Sequence, residues 1–419
     1  MNAMSHGDRR VHLNSAGLGR MPAAVRELLT EWTRFEDRYG PHELEERLDD
    51  VLHREIHERL AALLGAPPGD TALSTGATDA FAAVLSRLPL GPRDRVWTTR
   101  YESAANLSAL NALRARTGCR LDVVPLRPDG DLDLEWMAQH IDGDVALVCV
   151  PYVPSGCGIV NPVEDVGRIL APHRCLYAVD ASYAVGQLPV DVARVGCDLL
   201  TGDGWRFLRG PQSVGFAYAA PRLRQVLAPH GGLPLVPPCG AAAAALNAAL
   251  ALHVPAPVPA PEDLGSRLRT AVENTSGTGL IAPGRVQSGI VTFQHGELPA
   301  ALLRRRLADR GVVVWKTVAQ ETPLYLPERG VVTAVRASVH PDHRAEDIER
   351  FAEALQDAVA EGRPRPAGVP RPPSTAPVSR DVPSRPAAAR IPRRQAAGRR
   401  HLTLVSGGPP RTSRLQPGA

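Results

Sequence analysis

Lysine is almost missing from this chain. Among 419 residues there are 48 basic side chains, and only Lys316 is a lysine. Chemistry that needs a side-chain amine, such as a Schiff base to an aldehyde, is excluded at every other position, because a guanidinium stays protonated beyond about pH 12. Cysteine is also sparse. The six thiols (Cys119, Cys149, Cys157, Cys175, Cys197 and Cys239) show no C-x-x-C or other metal-ligand spacing. That excludes a structural zinc site and fits reduced, mostly buried thiols in a cytoplasmic protein. No apolar run approaches the ~18 residues of a membrane span, and the N-terminus lacks the basic-then-apolar pattern of a secretory signal. No internal repeat is present.

What remains is the composition of a soluble globular protein, 44% hydrophobic and 22% charged, long enough for a large domain and a smaller one. The net charge of +4 is uneven. Twelve of the basic residues but only one acid, Asp381, lie from Gly362 onward, so that segment carries +11 and the rest of the chain −7. The same stretch holds twelve of the forty prolines and no periodic apolar pattern. It reads as a disordered, solvated Arg/Pro-rich tail over 362–419, and this basic tail is the only feature that would suit a nucleic acid.

Residues 1–10 read as a flexible start. Helical periodicity runs through 22–64 and ends near Gly65-Ala-Pro-Pro-Gly69. Short apolar strands then alternate with helices. The expected strands are Thr71–Leu73, Arg95–Thr99, Leu121–Val124, Val145–Val150, Leu176–Asp180, Leu199–Thr201 and Val214–Ala219. The helices between them are expected at 77–88, 103–117, 133–140, 162–171 and 191–194. This alternation predicts an α/β fold with a mostly parallel, doubly wound sheet and ligands at the carboxyl ends of its strands. The large domain is expected over 11–245, with 220–260 as an Ala/Pro/Leu-rich link. A smaller α/β domain at 246–361 has strands near Gly289–Phe293, Val312–Trp315 and Val331–Ser338 and a closing helix at 344–360.

Five segments carry the chemistry. Ser74-Thr-Gly-Ala-Thr-Asp-Ala80 places the amides of Ala77 and Thr78, and the Thr78 hydroxyl, at a helix start that suits an anion. Tyr101, in Arg100-Tyr-Glu-Ser-Ala-Ala-Asn106, follows a strand. Ser155 opens Ser155-Gly-Cys-Gly-Ile-Val-Asn-Pro162. Asp180 and Tyr183 sit in Val179-Asp-Ala-Ser-Tyr-Ala-Val-Gly-Gln-Leu-Pro-Val190. Asp203 and Arg206 sit in Thr201-Gly-Asp-Gly-Trp-Arg-Phe-Leu-Arg-Gly-Pro211. In this order, together with Val335-Arg-Ala-Ser338, they resemble the class V aminotransferases and cysteine desulfurases, pyridoxal-phosphate (PLP) enzymes of fold type I. The likeness spans roughly residues 11 to 360, and within the family it is nearest to hercynylcysteine sulfoxide lyase-like proteins.

The resemblance implies roles for these positions. Ala77 and Thr78 would form a phosphate cup, Tyr101 would stack on the pyridine ring, Ser155 would line the cofactor, and Asp180 would pair with the pyridine nitrogen. Arg336 would clasp a substrate carboxylate. It also implies a homodimer. Three positions depart from the pattern. Arg206 stands at the Schiff-base lysine, Asp203 at a phosphate-binding hydroxyl, and Tyr183 at a Gln or His that meets the ring oxygen. A carboxylate about 4 Å from a phosphate charge costs on the order of 4 kcal/mol at an effective dielectric of 20, half of the ~8 kcal/mol of micromolar binding. Asp203 and Arg206, three apart, can instead pair with each other.

The expectation is therefore a PLP-transferase-like fold with a degraded site. No covalent PLP is expected, and the ligand would be a small anionic or amino-acid-like molecule. The alternative is an active aminotransferase or carbon–sulfur lyase that holds PLP non-covalently or recruits Lys316. A cofactor-free enzyme drawing on Tyr101, Tyr183, Asp180, Asp203 and His340 as acid–base groups is a third reading, with no reaction named by the spacing.

Overall fold

Residues 10–253 and 261–362 are described by the computed structural model, apart from the side chains of 261–263. All but residue 10 of the predicted start at 1–10, and nearly all of the Arg/Pro-rich tail, lie outside the described residues.

The run of helical periodicity at 22–64 is broken by its own residues. Helix α1 (Ala23–Tyr39) stops at Gly40, whose φ of +84° suits glycine, and Pro41 opens α2 (Pro41–Arg47). A wider π turn at Val51–Glu55 leads into α3 (Ile56–Leu64). Beyond it the predicted alternation appears as a seven-stranded sheet. Its strands are β2 (Thr71–Ser74), β3 (Arg95–Thr99), β4 (Arg120–Val124), β5 (Val145–Pro151), β6 (Leu176–Asp180), β7 (Leu199–Asp203) and β8 (Gly215–Ala219). The order is β2-β8-β7-β6-β5-β3-β4. The five strands from β7 to β4 run parallel, while β8 lies antiparallel between β7 and β2. Helices α4 (Ala77–Arg87), α5 (Ala104–Thr117), α6 (Leu134–His140), α7 (Val163–Leu170) and α8 (Val192–Val195) supply the crossovers. The crossovers bring the chain back to one end of the parallel strands, so side chains that follow β3, β5, β6 and β7 converge there.

The stretch read as a link contains more structure than expected. After α9 (Pro221–Leu227) the chain forms α10 (Gly240–Leu252), which packs against α1 and α3 with Ala242, Ala243, Ala244, Ala245 and Ala249 buried. Small side chains permit the approach: a Cβ on Gly240 would sit 3.0 Å from the Trp32 ring. Alanine carries no hydrophobic periodicity that separates a buried helix from a link.

The second sheet has the order β12-β13-β10-β9, fully antiparallel, built from β9 (Thr278–Leu280), β10 (Ile290–His295), β12 (Trp315–Val318) and β13 (Thr333–Ser338). Its apolar side meets α11 (Pro261–Glu273), α12 (Ala300–Asp309) and α13 (Ala345–Ala360) around Phe293, Leu303, Leu307 and Phe351. The entry strand β1 (Val11–His12) pairs in parallel with β11 (Val312–Val313), and Val11 and Leu13 are buried in this second core. Val11 and Leu13 thus pack with the smaller domain's core rather than with the large sheet, although the division at 11–245 places them in the large domain. A two-residue strand has no periodicity from which to read its partner.

Candidate ligand site

At the carboxyl end of the parallel strands lies a cleft of about 610 Å³. Thr78, Ser155, Asp180, Tyr183, Asp203, Arg206 and Arg336 all line it. The sequence positions far apart in the chain are therefore brought to one cavity, with Ala77 just behind the wall.

Asp203 ends β7, beside the first turn of α4. Its Oδ1 accepts the Ala77 N–H at 3.0 Å, and its Oδ2 accepts Arg206 Nε–H at 2.8 Å. Burial pushes its carboxyl up from the ordinary range, against the pull of Arg206 and of the Ala77 amide. The helix start that suits an anion thus already has one, supplied by the chain. Arg206 is correspondingly spent. Besides Asp203, it donates to the Ala16 carbonyl at 2.6 Å, and its guanidinium lies over the Tyr183 ring, 4.0 Å from the centroid. Burial opposes its charge, but Tyr183, Asp203 and Asp180 outweigh that and raise it above the usual guanidinium range.

Asp180, at the tip of β6, faces the cleft and is held from two sides. Oδ1 accepts the Ser182 amide at 2.9 Å and its hydroxyl at 2.5 Å, and Oδ2 accepts Asn106 Nδ2–H at 2.9 Å. Asn106 also donates to Glu102 Oε1 at 3.0 Å. Glu102 is fully buried, and burial with the nearby Asp180 charge pushes its carboxyl up to about 7. The pairing of Glu102 and Asn106, four apart at a helix start, was open to sequence reading, but nothing in the sequence marked it out.

Arg336 enters from β13 and is 4% exposed. Its Nη1 reaches the Ser155 carbonyl at 3.5 Å and Glu321 Oε2 at 3.4 Å, both long, while Nε has no partner. A buried guanidinium so weakly satisfied retains donors for an acceptor in the cleft. Glu321 was not anticipated. It sits in a 3-10 turn after β12 and takes Thr317 Oγ1–H at 2.9 Å.

One expected residue, Tyr101, and two that belonged only to alternative readings, Lys316 and His340, are not brought to the cleft. Tyr101 turns into a buried cluster, its hydroxyl on the Gly130 carbonyl at 2.5 Å and its ring 4.8 Å from that of Tyr325. The wall there is Ser103, Ala104 and Ala105, with no aromatic ring. A tyrosine that follows a strand looks the same in sequence whether it is core or site. Lys316 is exposed on β12. Its neighbour Trp315 lines the cleft and Lys316 does not, as alternation along a strand requires. His340 lies elsewhere: Nε2–H donates to the Phe207 carbonyl at 2.9 Å, and Nδ1 accepts the Asp342 N–H at 3.1 Å. Among the described residues there is no group of side chains able to hold a metal ion and no helix long and apolar enough to cross a membrane.

The class-V aminotransferase family pattern matches residues 22–234. The chain belongs to that family. It is 29% identical over 238 residues to a probable cysteine desulfurase of Halobacterium salinarum, a match covering 54% of this chain and 56% of that protein. The chain thus spans little more than half the length of that relative. With a probable cysteine desulfurase of Xylella fastidiosa it shares 26% identity over 386 residues, 84% of this chain and 91% of the other. Among solved structures, the apo cysteine desulfurase of Thermococcus onnurineus NA1 superposes with a TM-score of 0.74 at 20% identity, covering 84% and 95% of the two chains. A cysteine desulfurase of Escherichia coli superposes equally well. These superpositions establish the PLP fold type I architecture of this member.

Proposed function

We propose that this class-V aminotransferase-fold chain is released from lysine-dependent PLP chemistry and binds a small anionic or amino-acid-like ligand in the cleft. One observation carries the reading: the Asp203 carboxylate occupies the Ala77 amide and is itself neutralised by Arg206. A phosphate entering that corner would find the helix-start amide already taken by a carboxylate that Arg206 holds in place. The donor set does not fit the cofactor, since an acid faces the phosphate and a guanidinium stands where an amine would be needed. Arg336, buried and with an unpartnered Nε, is the group left to take a ligand carboxylate. The wall at Ser103–Ala105 offers no ring to stack on a pyridine, which supports the same reading. No reaction is assigned. A homodimer, a cytoplasmic setting and the division into a large and a small domain near residue 245 belong to the proposal on the strength of the resemblance.

The test is an absorption spectrum of the purified full chain before and after incubation with PLP. No PLP-type band, and no borohydride-reducible adduct, is expected for the parent or for Arg206→Lys alone, because Asp203 stays in place. A yellow, reducible adduct in the parent would end the proposal.

A second reading has one observation in its favour. Asp180 still faces the cleft, fixed by Ser182 and Asn106, as a carboxylate partner of a pyridine nitrogen would have to be. PLP held without a link to the protein would use it. A fold neighbour has been solved as a lysine-to-alanine variant with glycine covalently linked to PLP. Bound PLP that dialyses away and leaves no adduct would favour this reading. The route through Lys316 is the weaker form of it, given where that side chain lies.

A further inference from the structure

A second cavity, about 330 Å³, lies beside the cleft, behind the segment that carries Ser15 and Ala16. Its lining is basic. Arg10, Arg20, Arg26 and Arg209 converge on it, against the acids Asp342 and Asp347. Arg20 makes no ion pair or hydrogen bond among the described residues, while Arg26 donates to the Met21 carbonyl. Arg209 pairs with Asp342 at 2.5 Å, an acid whose side chain is 60% exposed and so easily displaced. Arg209 is also held at φ +58°, a left-handed conformation that non-glycine residues seldom adopt.

The 17-residue helix α1 begins at this cavity, with Met21, Pro22 and Ala23 in its lining. Its first turn contains no acid, and no side chain caps it. Its leading amides and the positive end of its dipole therefore stand among arginines, an arrangement of like charge that costs free energy unless an anion fills it. A second, independent feature points to the same occupant. Ser15 is 2% exposed, lines the cavity, and its hydroxyl makes no hydrogen bond among the described residues.

We propose that this cavity is a phosphate site, taking inorganic phosphate or the phosphate of a small monoester. Among the described lining residues four arginines against two aspartates leave an excess of two positive charges, which matches a dianion. The donors are of the three kinds that bind phosphate oxygens: guanidinium, hydroxyl and helix-start amide. The volume leaves room for a small organic group beyond the phosphate.

The experiment is calorimetric titration of the full chain, in phosphate-free buffer, with inorganic phosphate and separately with glycerol 3-phosphate. One saturable site is expected, and the tighter of the two probes identifies the source. The double variant Arg20→Gln/Arg26→Gln, both positions exposed on the surface, should weaken binding by about 30-fold or more. Ser15→Ala should weaken it by about fivefold. Arg336→Gln, in the other cleft, should leave it in place. The proposal is overturned by no saturable heat up to about 10 mM ligand, or by equal affinity in the double variant and the parent. Loss of binding in Arg336→Gln alone would overturn it too, since the anion would then sit in the central cleft.

Discussion

Asp203 accepts the main-chain N–H of Ala77 at 3.0 Å, joining the end of β7 to the start of α4 across 126 residues of chain. The helix amide that would receive a free anion is thereby satisfied by a carboxylate that the fold itself delivers. A tethered acid loses no translational freedom on arrival, so a diffusing phosphate competes at a disadvantage before charge is considered. Arg206 closes the arrangement, with its Nε on the other carboxylate oxygen and its guanidinium over Tyr183. Asp203, Arg206 and Tyr183 are thus one interlocked group.

That coupling makes a prediction about stability. Asp203→Ala alone strands a buried guanidinium and an amide, and Arg206→Ala alone strands a buried carboxylate. Each should cost about 3 kcal/mol or more. The same two changes made together, as Asp203→Ala/Arg206→Ala, should cost less than the sum of the singles by about 2 kcal/mol. Urea unfolding of the four proteins supplies the cycle, and simple additivity would contradict the interlock.

How much of this was legible in the sequence follows from the kinds of signal involved. The seven strands of the large sheet are short apolar runs bounded by loops, and each was placed to within two residues at either end. Asp180, Asp203 and Arg206 were assigned to one cleft by the resemblance of their segments, and strand ends that converge in a parallel sheet give the physical reason they meet. Tyr101 could not be oriented, because the direction of a side chain two residues past a strand depends on what packs against it. Here that is Tyr325, more than two hundred residues away. Helix α10 was hidden by alanine, which contributes no amphipathic pattern, and Glu321 by lying in a turn with no motif of its own.

His340 should make the fold acid-sensitive. Both ring nitrogens are engaged by main chain in the neutral form, and burial, aided by Arg209, lowers its pKa to about 4 from 6.5. A histidine depressed in the folded state contributes stability above pH 6.5, and that contribution drains away as pH falls toward 4. The loss is on the order of 3 kcal/mol at ~1.4 kcal/mol per unit. His340→Gln should flatten this part of the melting-temperature profile between pH 6.5 and 4. An unchanged slope would show that the ring is not held neutral.

Glu102 should act in the opposite sense. Its carboxyl is raised to about 7 from 4.5, chiefly by burial and then by the Asp180 charge. An acid raised in the folded state stabilises fully below pH 4.5, and the benefit is lost as pH climbs through 7. Glu102→Gln keeps the acceptor for Asn106 and removes the titration. Its stability relative to the parent should therefore rise between pH 4.5 and 7, by on the order of 3 kcal/mol. Melting temperatures of the two proteins across that range decide the matter, and a constant offset would count against a protonated Glu102 behind Asp180.

Gly19 sets how closely the entry segment can lie on the Arg206 loop. Its N–H donates to the Trp205 carbonyl at 2.9 Å, and a Cβ there would fall 1.9 Å from the Arg206 carbonyl oxygen and 2.9 Å from Arg209 Cγ. The first of these is backbone and cannot rotate away. In Gly19→Ala the segment must therefore lift, taking with it the Ala16 carbonyl that receives the Arg206 guanidinium. A loss of about 2 kcal/mol follows from overpacking of this size. The informative measurement is amide hydrogen exchange read by mass spectrometry. Peptides covering 200–214 should exchange faster in the variant while those covering Val145–Pro151, deep in the sheet, keep the parent's rates under native conditions. If both regions accelerate together, the glycine supports global stability only. If neither does, the close approach at Gly19 does not hold the loop in place.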